Sequence, residues 1–211
     1  PTCYTEIALP EEHSDPAPLR SDGIFRVQLA KTKSMALVEV KVGDNPLAQP
    51  QIDEYHQLAK KEGFNALITI SNQSARSDGS PPVSIDGRRH RSVPVTHLSW
   101  DRLLSEAQML GNQKGVDDSD QQWMLSEWIR YVSDPESKII APPSLGKHWN
   151  DVLQAAKSGS IATASRHLPD VVLHWEDFLK KSALRLRAHL GVDVEEKVAR
   201  AEKKDPQLRT K

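Results

Sequence analysis

The chain has 211 residues, with 28 lysines and arginines against 29 aspartates and glutamates and a net charge of −1. That excludes the global basic signature of a nucleic-acid binder and leaves any such affinity to local patches. A single cysteine, Cys3, excludes an internal disulfide and a cysteine-rich metal site, and the absence of a signal peptide or of any apolar run near the ~20 residues of a membrane span makes a cytoplasmic protein with no membrane partner the expectation.

Residues 3–9 read as a strand, followed by the proline- and acid-rich stretch Pro10 to Leu19. Residues 23–30 and 36–42 read as the two strands of a hairpin joined by the polar Lys31-Thr32-Lys33-Ser34. The second of these strands carries Glu39-Val40-Lys41 inside an apolar run. Side chains alternate along a strand, so Glu39 and Lys41 share a face, roughly 6.5–7 Å apart along the backbone. Two charges in a buried strand are costly unless they pair, bind a metal or face a cleft. On an edge strand the same pair is merely charged protection against aggregation.

Gly43-Asp44-Asn45-Pro46 turns the chain, and Pro50 suits the first turn of a helix over 50–62. Ile52, Tyr55, Leu58 and Ala59 form its apolar stripe, while Gln51 and Tyr55 lie one turn apart on one face. Tyr55 therefore reads equally as core and as site. Gly63 is placed to end the helix in a left-handed cap, with Phe64 packing back on the last turn. Residues 66–70 are a continuous apolar strand, and the helix is the crossover that a parallel 36–42/66–70 pair needs.

The polar loop Ser71 to Ser92 contains Arg88-Arg89-His90-Arg91. Residues 93–98 then read as a strand that Pro94 confines to an edge, and Ser99 as the N-cap of a helix over 100–110. Helical periodicity dominates the second half of the chain. Met124, Leu125, Trp128, Ile129 and Val132 share one face of 120–132, Trp149, Val152, Leu153 and Ala156 repeat the pattern, and 170–190 is a third amphipathic stretch. The tail from Glu195 to Lys211 has mixed charge. The expected organisation is an α/β core with a mixed sheet over 1–112, then a helical C-terminal region over 113–211 that docks on the core or binds a protein partner.

Asp22, Glu39-x-Lys41 and Gln51-x-x-x-Tyr55 occur in this order on a strand, strand, helix, strand frame. That set resembles the PD-(D/E)xK nuclease superfamily, and its Gln-x-x-x-Tyr element is typical of the RecB-like exonuclease branch. The resemblance spans about Pro1 to Trp100. In two respects the chain departs from the pattern: Ser21 replaces the proline of the Pro-Asp signature, and strand 3–9 stands where the superfamily normally has a helix, often with another acidic residue.

The resemblance implies a restriction-endonuclease-like fold and hydrolysis of DNA phosphodiesters with Mg2+ or Mn2+, in repair, restriction or defence. It implies Asp22, Glu39 and the Val40 carbonyl as metal ligands, a set in keeping with the oxygen preference of magnesium. Lys41 would orient the attacking water or offset developing charge. Gln51 and Tyr55 would hydrogen-bond Lys41, a water or a phosphate near the helix start. Arg88, Arg89 and Arg91 are the candidates for nucleic-acid contact, unless that loop is simply solvated.

Two other classes compete with the nuclease. One is a catalytically inactive nuclease-like fold that binds nucleic acid or protein, favoured by the missing helix and the balanced charge. The other is a plain interaction protein in which Glu39 and Lys41 pair on a sheet edge, and this one requires Asp22 to face elsewhere. Further chemistry finds no support. His90, His97, His148, His167 and His174 lack paired zinc-ligand spacing, Ser71 and Ser99 lack a nucleophile elbow, and Trp123, Trp128, Trp149 and Trp175 recur at the helical spacing of core residues rather than as stacking platforms.

Overall fold

The computed structural model describes residues 2–8, 20–29, 32–43, 45–75, 79, 81–83, 92–160 and 166–197. The chain divides into two compact units, Pro1–Trp100 and Asp101–Lys211. The first is α/β. Its strands β1 (Thr2–Ala8), β2 (Arg20–Leu29), β3 (Thr32–Val40), β4 (Ala66–Ser71) and β5 (Val95–Ser99) form one mixed sheet whose spatial order follows the chain. β1, β2 and β3 pair antiparallel, whereas β3, β4 and β5 pair parallel.

The hairpin is longer at its closed end than the hydrophobic pattern suggests. Thr32 to Ser34, expected in the connection, belong to β3, with Thr32 paired to Leu29; residues 30 and 31 lie outside the described residues. Backbone ladder bonds form whatever the side chains, and polar residues that remain exposed cost a strand little. At the other end β2 starts at Arg20 and takes in Asp22. β3 ends at Val40, one residue short of Lys41, although the Lys41 N–H still donates to Ile70 O at 2.8 Å.

Helix α1 (Gln49–Lys61) carries Pro50 in its first turn. It ends in a Schellman arrangement: Gly63 has φ +74°, Phe64 N–H donates to Ala59 O at 2.8 Å, and Gly63 N–H donates to Lys60 O at 3.4 Å. Only glycine adopts this left-handed conformation without a steric penalty. The α1 stripe of Ile52, Tyr55, Leu58 and Ala59 packs with Ile24, Leu37, Leu67 and Val95. Those four are in register across β2, β3, β4 and β5, so they form one apolar row. Two residues further along β3, β4 and β5 the same face presents Glu39, Thr69 and His97, which are likewise in register and all buried. The covered face thus changes from apolar to polar toward the C-terminal ends of the parallel strands.

The second unit is helical: α2 (Trp100–Met109) runs into a π-helical turn at Leu110–Lys114, followed by α3 (Ser119–Ser133), α4 (Trp149–Lys157) and α5 (Leu168–Leu190). The unit boundary falls at 100/101, where the sequence pattern draws it at 112/113. α2 groups with α5 because Ser105 Oγ donates to Leu184 O at 3.0 Å and Arg187 pairs with Glu106 at 3.0 Å. Val152, Ala155 and Val171 form a small core with Trp149 and Leu168, and Trp149 stacks on Trp175 at 5.7 Å. Ala155, not the anticipated Ala156, faces inward. Of the α3 stripe, Val132 is buried but Met124 is exposed. Among the described residues no helix is long and apolar enough to cross a membrane.

Candidate active site

The site grows from hairpin register. The β2–β3 pairing runs as far as Gly23 opposite Val38, and Asp22 follows at the next position of β2, near enough that its charge acts on Glu39. Asp22 is exposed, and its Oδ2 accepts from the Val40 N–H at 2.7 Å. The N–H and C=O of one strand residue point to the same side, so the Val40 carbonyl also turns toward β2 and Asp22. Ser21, at the position where the nuclease signature has proline, is 1% exposed. Its hydroxyl lies 3.0 Å from Val38 O and 2.8 Å from Gly23 O, which ties the strand ends together beside Asp22.

Glu39 is the most unusual group here, a carboxylate that is only 3% exposed. Its Oε1 accepts from Lys41 Nζ at 2.7 Å and from Gln51 Nε2 at 2.8 Å. Oε2 is buried and has no hydrogen-bond partner among the described residues. Burial raises the Glu39 pKa above its ordinary range, the Lys41 bond works against that, and the nearby Asp22 charge adds to the rise. Such a carboxylate is short of positive charge: one lysine does not offset its desolvation and its acidic neighbour.

Tyr55 proves to be core and site wall together. It is 5% exposed within the α1 stripe, and its hydroxyl donates to Arg20 O at 2.8 Å, two residues before Asp22. Burial, then the Glu39 charge, pushes its phenol pKa well upward, so it remains a protonated donor. The structure therefore brings Asp22, Glu39, Val40, Lys41, Gln51 and Tyr55 to one place. Arg88, Arg89 and Arg91 lie outside the described residues.

Two supporting features escaped the sequence pattern. Trp100 Nε1 donates to Lys41 O at 2.9 Å, so with the Ile70 contact both backbone polar groups of Lys41 are held. Thr69 and His97 continue the polar row, with Thr69 Oγ1 2.9 Å from His97 Nδ1. Their signal was parity. Thr69 is the polar residue in the apolar run 66–70, and it is in register with Glu39.

The donor set suits a hard divalent cation. Such ions take oxygen ligands and often use one or two carboxylates, completing their shell with water and substrate. Asp22 and Glu39 supply two carboxylates, and Glu39 Oε2 is a buried acceptor without a donor among the described residues. Within the same residues no group of three or more His, Cys, Asp or Glu side chains could hold a metal ion, so any cation here would rely on those two carboxylates and on backbone oxygen.

Fold and site together define an α/β protein with a mixed sheet, in which two carboxylates and a lysine cluster where the hairpin meets the first parallel strand. No protein family, curated protein or solved structure matches the chain.

A stability measurement reads the strain on Glu39. An acid whose pKa is raised by folding contributes stability below its unfolded value, near 4.5, and loses it as pH climbs through the folded value. Above that range the wild type therefore carries a pH-dependent cost that a neutral side chain in its place does not. Glu39→Gln removes that cost and should stabilise the protein at pH 7 by about 0.5–2 kcal/mol, as relief of strained functional sites commonly does. The melting temperature should rise by roughly 2–4 °C per kcal/mol, and the gap should close toward pH 4. Thermal melts of both proteins at the two pH values would show it, and a glutamine variant that melts lower at pH 7 would contradict it.

Proposed function

We propose that the protein is a metal-dependent nuclease that hydrolyses DNA phosphodiester bonds with Mg2+ or Mn2+, on a restriction-endonuclease-like core, in repair, restriction or defence. The single observation that supports this most is the state of Glu39: almost wholly buried, close to the Asp22 charge, paired with Lys41, and with one oxygen that has no hydrogen-bond partner among the described residues. A sheet-edge ion pair needs none of this, because both partners would sit in water.

In this reading Asp22, Glu39 and the Val40 carbonyl would hold the ion. When bound, the ion lowers the pKa of a coordinated water and offsets charge on the phosphoryl oxygens. Lys41, whose ammonium pairs with Glu39 at 2.7 Å, would orient that water or stabilise the developing charge. Gln51 keeps Glu39 Oε1 in place, and Tyr55 fixes the start of β2. The helical unit is the candidate for a protein partner. Trp123 and Tyr131 on α3 are 66% and 59% exposed, which favours an interface over core packing for these two side chains.

One observation favours a second reading, an inactive nuclease-like fold that binds nucleic acid. Glu39 Oε1 is already held by both Lys41 and Gln51, and no third acidic side chain joins the pair among the described residues. Titration with Mg2+ or Mn2+, followed by calorimetry and by cleavage of end-labelled DNA, separates the two. Saturable metal uptake with metal-dependent cutting is the expected result. DNA binding without metal uptake or cutting would leave only the second reading.

A further inference from the structure

His97 lies in the same polar row as Glu39 but two strands away, 2% exposed. Its Nε2 is 2.8 Å from the Gln73 backbone carbonyl. A carbonyl only accepts, so Nε2 carries the proton, and in the neutral ring Nδ1 accepts from the Thr69 hydroxyl at 2.9 Å. Burial lowers the His97 pKa, which keeps the ring neutral.

Gln73 passes the constraint on. Its N–H donates to Ser71 Oγ at 3.1 Å, and its side-chain Oε1 accepts from the Leu47 N–H at 3.0 Å. Next to it, Asn72 Nδ2 donates to Gly43 O at 2.8 Å. The segment after β4 is thereby bound to the segment between β3 and α1. Leu47 is buried and lies two residues before the start of α1, four before Gln51, whose amide holds Glu39.

We infer that His97 is a positioning residue for the Glu39–Gln51 site, acting through a clamp that runs from its Nε2–H to the Gln73 carbonyl, from the Gln73 side chain to the Leu47 amide, and so to the start of α1. The inference rests on the nuclease reading of that site for its rate effect. The clamp itself does not.

Three variants of the full chain test it. In His97→Gln the side-chain amide reaches about as far as Nε2 and can still donate to the Gln73 carbonyl. In His97→Asn the amide reaches only as far as Nδ1, so the Thr69 contact survives and the Gln73 contact is lost. Gln73→Ala breaks the Leu47 link at a half-buried position and leaves the core untouched. Two readouts apply: hydrogen exchange at the Leu47 amide, and the rate of Mn2+-dependent cleavage of labelled duplex DNA.

The expected result is that His97→Asn and Gln73→Ala each speed Leu47 exchange and slow cleavage by about tenfold or more, the scale on which groups that orient a metal ligand act. His97→Gln should stay within roughly threefold of wild type on both readouts. A histidine that merely filled space would give Gln and Asn variants of equal behaviour, and that outcome overturns the inference. Separation in exchange but not in cleavage also overturns it, because the clamp would then position nothing that reacts. A wild-type protein that neither takes up Mn2+ nor cuts DNA defeats the nuclease reading on its own account. Leu47 exchange would then still judge the clamp, supported by fast Asn and Ala variants beside a slow Gln variant and refuted by three equal rates.

Discussion

If the proposed nuclease function holds, Glu39→Ala and Asp22→Asn should each lower metal-dependent cleavage by about a thousandfold or more while the fold persists. The magnitude comes from the chemistry: a metal that activates water and offsets phosphoryl charge supplies several kcal/mol to the transition state, and each 1.36 kcal/mol is a factor of ten. The two substitutions disturb the structure differently, which makes them a useful pair. The asparagine oxygen can still accept from the Val40 N–H, preserving the 2.7 Å link between β2 and β3, so Asp22→Asn removes charge with little else. Glu39→Ala leaves Lys41 and Gln51 without their shared acceptor, but the Lys41 side chain is 22% exposed and can turn to water. Circular dichroism would confirm the fold, and calorimetry with Mn2+ should show weakened or absent binding in both. Equal cleavage by wild type and Glu39→Ala would remove catalysis from this site and leave the binding module.

Lys41→Ala should leave metal affinity unchanged or somewhat higher and reduce the cleavage rate by about 10²–10³, the usual effect of losing one group that stabilises developing charge. Its backbone is held by Ile70 O and by the Trp100 indole N–H, so truncation removes the ammonium without releasing the strand end. Glu39 Oε1 keeps its bond from Gln51. Lys41→Arg should not restore the rate, since a planar guanidinium cannot reproduce a compact ammonium at a single carboxylate oxygen. Single-turnover rates at saturating Mn2+ make the distinction. A parallel loss of metal binding in Lys41→Ala would mean that the lysine serves to hold Glu39 in shape, and its direct role in the chemistry would fall.

Much of the first unit could be read from local pattern. The parity of Glu39 and Lys41, the α1 stripe, the Gly63 cap and the parallel relation of β3 and β4 all stem from periods of two and 3.6 residues and from the reach of a crossover helix. These are short-range properties, written into consecutive residues. Where polarity and pairing disagree, local pattern misleads. Thr32 to Ser34 look like a loop and are strand, because an exposed hairpin end satisfies its backbone by pairing rather than by burial. Trp100 begins a helix whose first residues fall on both sides of the unit boundary, and the ion pairs of Glu106 and Asp101 with α5 that decide this join residues about 80 positions apart.

The amino-acid sequence by itself determined which side chains share a face and which residues end each turn. Only the tertiary structure decided that Asp22 comes close to Glu39, that Gln51 reaches Oε1 while Oε2 has no hydrogen-bond partner among the described residues, and that Trp100 holds the Lys41 carbonyl. Facing is a matter of parity within one strand or helix, whereas opposition depends on register between strands. Register between β2 and β3 is set by the hairpin, and a shift of one residue there would turn Asp22 and Glu39 to opposite faces of the sheet.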